Sequence, residues 1–252
     1  MKSIVITGAA SGIGLAVAQM MLEDGWLVGM FDVNEAPLLA LQQKWGAERC
    51  SVHVVSVTDE TPLADAFASF HDKAGRLDVL FNCAGLLEFG HFEEVPLSRH
   101  QQILAVNSQG LMHCCHLAFP YLQQQAGARV INMSSASSMY GVPGLGVYAA
   151  SKAWVKSFTE ALNIEWARHD IHVLDVEPPF VDTNMVAGQQ AHVMGKMGVN
   201  LSALDIAKKV RKSLASNHTH VRVSLSYKIQ YFFHSLSITP IRKQVMKYLT
   251  GY

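Results

Sequence analysis

Short apolar segments recur along the chain, and longer segments with helical periodicity separate them. Most of the apolar segments lack regular polar alternation, which is typical of parallel strands covered on both faces. The predicted strands are Ser3–Thr7, Trp26–Phe31, Ser51–Val57, Val79–Asn82, Arg129–Met133, His172–Val176 and His220–Leu225. The predicted helices are Gly14–Glu23, Glu35–Trp45, Thr61–Ala74, Ser98–Gln124, Tyr148–Ala167 and Asp205–Ser216.

Strand–helix alternation of this kind predicts an α/β fold with a doubly wound, mostly parallel, Rossmann-like sheet. No repeat, low-complexity tract or linker interrupts the pattern, so we expect a single domain. Residues 1–226 would form the catalytic domain, and residues 227–252 an amphipathic basic tail packed on it. Pro240 should divide that tail into two short helices.

The charge of the chain is unevenly distributed. Of its 252 residues, 20 are Lys or Arg and 20 are Asp or Glu. Hydrophobic residues make up 50% of the chain, which excludes a disordered chain. Residues 1–182 contain 10 Lys/Arg and 19 Asp/Glu, whereas residues 183–252 contain 10 Lys/Arg and the single acid Asp205. Such asymmetry indicates an anionic partner, a membrane surface, or packing of one part on the other.

The four cysteines show neither disulfide nor zinc spacing, so we expect reduced thiols in a cytoplasmic protein. Met1-Lys2-Ser3 leads directly into the first strand, without room for a signal peptide, and no apolar run is long enough to span a bilayer. His113-Cys114-Cys115-His116 places only its two histidines on one helix face, so core packing is favoured over metal binding. No nucleic-acid-binding motif accompanies the basic tail.

A glycine-rich turn, Thr7–Gly14, lies between the first strand and the first helix. Glycine permits a tight turn and close approach of a ligand, and the helix amino terminus attracts a pyrophosphate. The alternative is an ordinary strand–helix turn. Asp32 favours the ligand, because an acid at the end of the second strand can bind ribose hydroxyls and repels a 2′-phosphate. Since no Arg or Lys lies between Thr7 and Asn34, the sequence predicts NAD rather than NADP.

Tyr148 and Lys152 share one face of a predicted helix. A tyrosine ordinarily has a pKa of about 10, too high for proton transfer near neutrality, and a neighbouring ammonium lowers it. An isolated Tyr-x-x-x-Lys would more often be a surface contact, so the pair indicates a catalytic site only together with the residues around it.

These surroundings resemble the short-chain dehydrogenases/reductases. Six ordered segments within about residues 3–225 carry the resemblance: Thr7–Gly14, Asn82–Gly85, Asn107, Asn132–Ser135, Tyr148–Lys152 and Glu177–Thr183. The resemblance implies that Tyr148 is the general acid/base and that Lys152 lowers its pKa and holds the nicotinamide ribose. It also implies that Ser135 binds the substrate oxygen and that Asn107 holds a relay water.

The same resemblance implies a set of cofactor contacts, with Asp59 near the adenine. Ser134 and Ser138 are rivals to Ser135 that we assign to strand-end capping, and Pro179 stands where the family usually has glycine. The implied contacts are Gly8, Ser11, Gly12, Ile13, Gly14, Asp32, Asp59, Asn82, Ala84, Gly85, Tyr148, Lys152, Pro178, Val181 and Thr183.

Apolar segments should flank this site, which favours a lipophilic secondary alcohol or ketone as substrate; the alternative is that they are ordinary core. They are Leu86–Phe89, Met139–Leu145 and a methionine-containing segment at about residues 184–203, which the family resemblance implies is a substrate lid. Two rival functions remain open: an NADPH-dependent reductase of carrier-bound 3-oxoacyl chains, and a non-catalytic NAD-binding regulatory protein. The family resemblance also implies a homodimer or homotetramer formed through the Ser98–Gln124 and Tyr148–Ala167 helices.

The tail combines apolar and basic residues. This pattern fits either a peripheral membrane contact or, more commonly, a helix packed over the substrate cleft or a subunit interface.

Overall fold

The apolar segments form a fully parallel seven-stranded sheet at the centre of the molecule. The computed structural model describes residues 1–182, 201–237 and 239–250. The strands of this sheet are β1 (Ser3–Thr7), β2 (Leu27–Asp32), β3 (Cys50–Val54), β4 (Val79–Asn82), β5 (Ala128–Met133), β6 (Ile171–Glu177) and β9 (His220–Arg222). They are arranged in the order β3-β2-β1-β4-β5-β6-β9. The short strands β7 (Val181–Asp182) and β8 (Leu201–Ser202) pair separately.

Helices cover both faces of this sheet. They are α1 (Gly12–Glu23), α2 (Glu35–Trp45), α3 (Glu60–Ala74), α4 (Leu97–Leu104), α5 (Leu111–Leu122), α6 (Gly146–Glu165), α7 (Ala203–Ser213), α8 (Leu225–Leu236) and α9 (Thr239–Thr250). A π-helical turn, Ala105–Gly110, joins α4 to α5, and short 3₁₀ turns follow β5 and α6.

Two apolar cores result from this arrangement. On one face, Val17 and Met21 of α1 pack with Ile206 and Val210 of α7. On the other face, side chains of α3, α5 and α6 form the second core, which contains Phe67, Phe70, Cys114, Cys115 and Val155. Strands buried on both faces explain why the apolar runs lack polar alternation.

The predicted fold class is confirmed. The strand order reverses at β1, since β2 and β3 lie on one side of it and β4 and β5 on the other. Ligands of open α/β sheets bind in the crevice at such a switch point, beyond the carboxyl ends of the strands. The tail forms two helices, α8 and α9, as the position of Pro240 predicts. Thr183 and most of the predicted lid at 184–203 lie outside the described residues.

Among the described residues, no helix is both long enough and apolar enough to cross a bilayer.

Candidate active site

A cavity of about 410 Å³ opens at the switch point. The glycine turn, the ends of β2, β4 and β5, the α6 amino-terminal turn and the loop after β6 surround it. The predicted residues in its wall are Gly8, Ser11, Gly12, Ile13, Asp32, Ala84, Gly85, Ser135, Tyr148, Lys152, Pro178 and Val181. The structure therefore brings most of the predicted site together around one space.

The glycine turn is shaped by three positions where a side chain would not fit. Gly8 and Gly12 have φ values of 69° and 51°, in the left-handed region that favours glycine. A Cβ on Gly8 would lie 2.8 Å from Cα of Ala84, and one on Gly14 would lie 2.0 Å from the Gly8 carbonyl oxygen. The turn packs directly against its own helix and the chain after β4, leaving the cavity side open for a ligand.

Two side chains fix the walls beside this turn. Thr7 Oγ1 accepts hydrogen bonds from the backbone N–H groups of Cys83 and Ala84, at 3.1 and 3.2 Å. The Asp32 carboxylate accepts one N–H from Ala10 at 3.0 Å and one from Asn34 at 2.9 Å. Each Asp32 oxygen thereby keeps a free lone pair at the cavity wall. Lys152 is the only basic residue of that wall among the described residues.

Three predicted cofactor contacts among the described residues lie outside the cavity wall: Gly14, Asn82 and Asp59. Asn82 is buried and donates to Asn132 Oδ1 at 2.9 Å, and Asn132 donates in turn to Thr159 Oγ1 at 2.9 Å. This chain of hydrogen bonds ties β4, β5 and α6 together, so Asn82 supports the sheet from within. The exposed Asp59 directly precedes α3, where its carboxylate accepts a hydrogen bond from Thr58 Oγ1 at 3.1 Å, and it lies outside the cavity wall. Ser56 of the same loop lines the wall instead, a contact that the sequence reading missed.

Tyr148 and Ser135 lie side by side in the cavity wall and share a hydrogen bond. The backbone of Ser135 leaves the end of β5, whereas Tyr148 lies in the first turn of α6. Burial raises the pKa of Tyr148 to about 12, and its hydrogen bond with Ser135 acts in the opposite direction. The sequence led us to expect a pKa lowered by Lys152, so this expectation is corrected. The Lys152 ammonium lies 5.7 Å from the centre of the tyrosine ring and is directed at a backbone carbonyl.

Lys152 is a buried cation without a carboxylate partner among the described residues. Only 5% of the residue is exposed, and Nζ donates to the Met133 carbonyl oxygen at 2.8 Å. Burial lowers its pKa from 10.5 to about 8. An ammonium that loses its proton this readily is suited to a role in proton transfer.

Asn107 lies in the π-helical turn and clamps the loop after β4. Its Oδ1 accepts from the Leu86 N–H at 2.7 Å, and its Nδ2 donates to the Leu86 carbonyl at 2.9 Å and to Ser151 Oγ at 3.0 Å. The side chain is 1% exposed and outside the cavity wall. In this structure Asn107 therefore holds the loop that carries Gly85, beside Lys152.

The loop after β6 completes the wall. Pro178 accepts a hydrogen bond from the Ala136 N–H at 2.8 Å through its carbonyl oxygen. Pro179 and Phe180 also line the cavity, and Val181 is buried. The unusual proline is thus accommodated without removing a residue from the wall.

A buried ion-pair cluster lies directly before this loop. Glu177 is fully buried and pairs with Lys156 at 3.3 Å and Arg222 at 3.2 Å. Asp175, also fully buried, lies 2.9 Å from His220 Nδ1, and Glu160 lies 2.9 Å from His220 Nε2. The i, i+4 spacing of Lys156 and Glu160 on α6 predicts a solvated pair, but the two side chains instead join this cluster separately.

Asp175, Glu177 and His220 lie close enough together to hold a metal ion. Lys156 and Arg222 already compensate the Glu177 charge, so the arrangement fits a network of ion pairs better than a cation site.

A small apolar cluster borders Tyr148. Leu87, Val142, Leu145 and Ala149 form its buried part, and Phe89, Tyr140, Tyr148 and Phe180 pack against it. Leu87 and Phe180 also reach the cavity wall. Part of the predicted apolar flank is thus core, and part faces the space beside Tyr148.

Comparisons with known proteins agree on one family. The chain matches the family model described as short chain dehydrogenase over residues 2–194. It is 32% identical over 188 residues to a 3-oxoacyl-[acyl-carrier-protein] reductase of Thermotoga maritima, covering 73% of this chain and 76% of that protein.

Solved structures show the same fold. A short-chain dehydrogenase/reductase of Burkholderia phymatum in complex with NAD superposes with a TM-score of 0.82, 23% identity and 92% coverage of each chain. ElxO with NADP bound gives a TM-score of 0.79 at 23% identity, covering 90% of this chain and 98% of ElxO.

Proposed function

Because this chain belongs to the short-chain dehydrogenase family of oxidoreductases, we propose that it interconverts a secondary alcohol and a ketone with NAD as cofactor. The observation that carries the cofactor choice is Asp32 at the cavity wall, with no arginine or lysine beside it in the described wall. One solved neighbour holds NAD and another NADP, so the choice rests on this chain's own residues.

The cavity residues fit a dinucleotide. Gly8 and Gly12 adopt left-handed backbone angles in the turn that lines the cavity, and α1 begins at Gly12, so the free N–H groups of its first turn would meet a pyrophosphate there. Asp32 would accept hydrogen bonds from the adenosine ribose hydroxyls and would repel a 2′-phosphate. Lys152 and Tyr148 would hold the nicotinamide ribose, and Pro178 and Val181 would contact the carboxamide. When bound, the nicotinamide accepts a hydride from the alcohol or donates one to the ketone.

The proton is moved by residues of the chain. In the reducing direction, the Tyr148 hydroxyl donates its proton to the carbonyl oxygen, and a pKa of about 12 keeps that proton in place at neutral pH. Ser135 donates a hydrogen bond to the same oxygen as negative charge develops. Lys152, with its pKa near 8, passes a proton toward Tyr148. Asn107 holds the loop beside Lys152 and would retain the relay water.

A lipophilic substrate is supported by the apolar cluster beside Tyr148. Leu87, Phe180 and Tyr140 border the space next to Ser135, where the substrate carbon chain would lie. We further propose a homodimer or homotetramer in the cytoplasm. The four cysteines are free, which suits a reducing compartment.

Titration of NADH and NADPH by nicotinamide fluorescence tests the cofactor choice. We expect NADH to bind at least about tenfold more tightly, and Asp32→Ala to reduce that preference at least about tenfold. Asp59→Ala is the matched control, because this acid is exposed and outside the wall. Tighter binding of NADPH by the unaltered protein would refute the NAD assignment.

A carrier-linked 3-oxoacyl chain is a second candidate substrate. The Thermotoga maritima relative is named for this reaction, and α7 carries Lys208, Lys209, Arg211 and Lys212, which could meet an acidic carrier. Turnover of a carrier-bound ketone in preference to the free lipophilic ketone would favour this candidate. NAD binding without turnover of any alcohol or ketone would instead favour the regulatory, non-catalytic function.

A further inference from the structure

Helix α8 exposes its apolar stripe to solvent. The stripe consists of Leu225, Ile229, Phe232, Phe233 and Leu236, and we call it the outer stripe. These residues recur every three or four positions, so they share one side of the helix. Phe232 is 60% exposed and Phe233 65% exposed, whereas an amphipathic helix ordinarily buries such residues.

The opposite side of α8 is held against the protein by polar aromatic residues. Tyr227 is 2% exposed, and its hydroxyl donates to Glu177 Oε2 at 3.2 Å. The Tyr231 ring stacks beneath the Arg222 guanidinium at 3.6 Å. His234 packs against Tyr140 with ring centres 5.5 Å apart. Rolling α8 to bury its outer stripe would break all three contacts, so the outward orientation is built into the fold.

Helix α9 repeats the combination of apolar and basic residues. Ile241 and Val245 are exposed one turn apart, and Lys243 and Lys247 are exposed on the same helix. Nine basic residues and no acidic residue occur between positions 206 and 252. Apolar side chains flanked by lysines and arginines are the composition of helices that lie in the plane of a membrane.

We propose that α8 and α9 form a docking surface for the interface of an anionic lipid membrane. The outer stripe would enter the boundary between headgroups and acyl chains, and Lys228, Lys243 and Lys247 would contact the anionic headgroups. A second copy of the chain fits the surface less well. If two copies met through this surface, their lysines would come together without a carboxylate to pair them.

This surface adjoins the candidate active site. The inner side of α8 contributes Tyr227 and Gln230 to a cavity of about 110 Å³, whose other walls include Ser135, Tyr140 and Phe180. The docking helix is therefore also a wall of the substrate region. The docking proposal does not depend on the reaction, because lipid binding can be measured without turnover.

Vesicle flotation of the full-length protein tests the proposal. We expect binding to vesicles of phosphatidylglycerol and phosphatidylcholine in equal parts, little binding to pure phosphatidylcholine, and weaker binding as salt rises. Phe232→Ser with Phe233→Ser should reduce the partition coefficient at least about tenfold. Lys243→Gln with Lys247→Gln should reduce it on anionic vesicles by roughly tenfold.

Matched controls use equally exposed residues elsewhere. Phe92 is 66% exposed, so Phe92→Ser removes a comparable aromatic ring outside the tail. Lys208→Gln with Lys209→Gln removes two exposed charges from α7. We expect both control proteins to float like the unaltered protein, and all variants to bind nicotinamide cofactor alike.

Absence of the unaltered protein from anionic vesicles would overturn the proposal, as would equal losses in the controls. A third refuting result is a tail-dependent dimer, seen by light scattering and dissociated by Phe232→Ser with Phe233→Ser, that does not bind vesicles. If the unaltered protein binds vesicles but neither binds cofactor nor shows turnover, the result counts against the proposed reaction alone.

Discussion

Lys152 and Lys156 lie one helical turn apart on α6, yet their surroundings are opposite. Lys152 has a backbone carbonyl as its partner, and burial lowers its pKa to about 8. Lys156 lies 3.3 Å from Glu177 and donates to the Tyr231 hydroxyl at 3.0 Å. These partners raise the pKa of Lys156 although burial alone would lower it.

The comparison shows how one helix face serves two purposes. A buried ammonium without a counter-ion gives up its proton easily, which is useful in catalysis and unfavourable for stability. A buried ammonium beside a carboxylate keeps its proton and leaves a buried charge behind if it is removed. We therefore expect Lys152 to serve the reaction and Lys156 to serve the fold.

The largest expected effect is on turnover. Lys152→Met should lower kcat at least about 100-fold, because the proton path to Tyr148 is lost. Lys156→Met, the matched substitution, should change kcat by no more than about threefold. Steady-state kinetics with a lipophilic ketone and NADH would measure both, and Tyr148→Phe sets the level of lost acid catalysis. Equal kcat losses in the two lysine variants would remove the distinction.

Stability should respond in the opposite order. Lys156→Met should lower the free energy of unfolding by about 3 kcal/mol, because Glu177 stays buried with fewer partners. Lys152→Met should leave it unchanged or raise it by up to about 3 kcal/mol, the size of the penalty implied by the lowered Lys152 pKa. Chemical denaturation near neutral pH measures both changes.

The stability gain expected for Lys152→Met depends on pH in a defined direction. The pKa of Lys152 is about 8 in the folded protein and 10.5 in its ordinary state. At pH values below the folded pKa, the ammonium is present in both states, so its burial destabilises the fold by the full penalty. The penalty shrinks as pH rises from the folded to the ordinary value and is absent above it. A gain for Lys152→Met that grew with alkaline pH would contradict the assignment.

A smaller effect is expected where the tail joins the ion-pair cluster. Tyr227→Phe removes the hydrogen bond to Glu177 and should lower the free energy of unfolding by about 2 kcal/mol. Ser226→Ala is the control, since Ser226 is an exposed neighbour on the same helix. A loss in Ser226→Ala as large as in Tyr227→Phe would show that α8 itself, rather than the bond to Glu177, is sensitive to substitution.

The smallest effect concerns His220. Burial alone would lower the pKa of His220, but its hydrogen bond with Asp175 and the nearby charges of Asp175 and Glu177 raise it above 6.5. The charge of His220 therefore stabilises the fold at pH values below its ordinary pKa, and this stabilisation is lost as pH rises through the higher pKa of the folded protein. His220→Gln should lower the melting temperature by about 2–4 °C at pH ~6 and by less at pH ~9. Calorimetry that shows the larger loss at alkaline pH would reverse this sign.

Local patterns predicted the fold and much of the candidate site because both depend on short-range signals. The strand ends, the glycine turn and the Tyr148–Lys152 spacing are each encoded within a few residues. The partners of Lys156 come from β6 and α8, at Glu177 and Tyr231, and no local pattern indicates them. A helix face alone therefore predicted a solvated pair where the fold forms a buried cluster.

The same limit explains why Asn82 and Asp59 lie outside the cavity wall. Asn82 has the residue type and position expected at the end of a strand, but the neighbouring strand supplies a buried partner, Asn132, that turns it inward. Asp59 was chosen for its charge, whereas the turn of the chain after β3 brings Ser56 to the wall. Which residue of a loop faces a cavity depends on backbone direction, which charge does not indicate.

The π-helical turn at Ala105–Gly110 joins α4 to α5 without a break and changes the rotation of α5 about the helix axis relative to α4. One additional residue per turn rotates everything after it by about 100° relative to an uninterrupted α-helix. Ile103 before the turn and Leu111 after it can then both reach the protein interior, while Asn107 is directed at the loop after β4. Deleting a single residue from this turn would restore ordinary α-helical winding and turn either Asn107 or the apolar face of α5 away from its partners. The length of this segment, as much as its composition, is therefore part of the site.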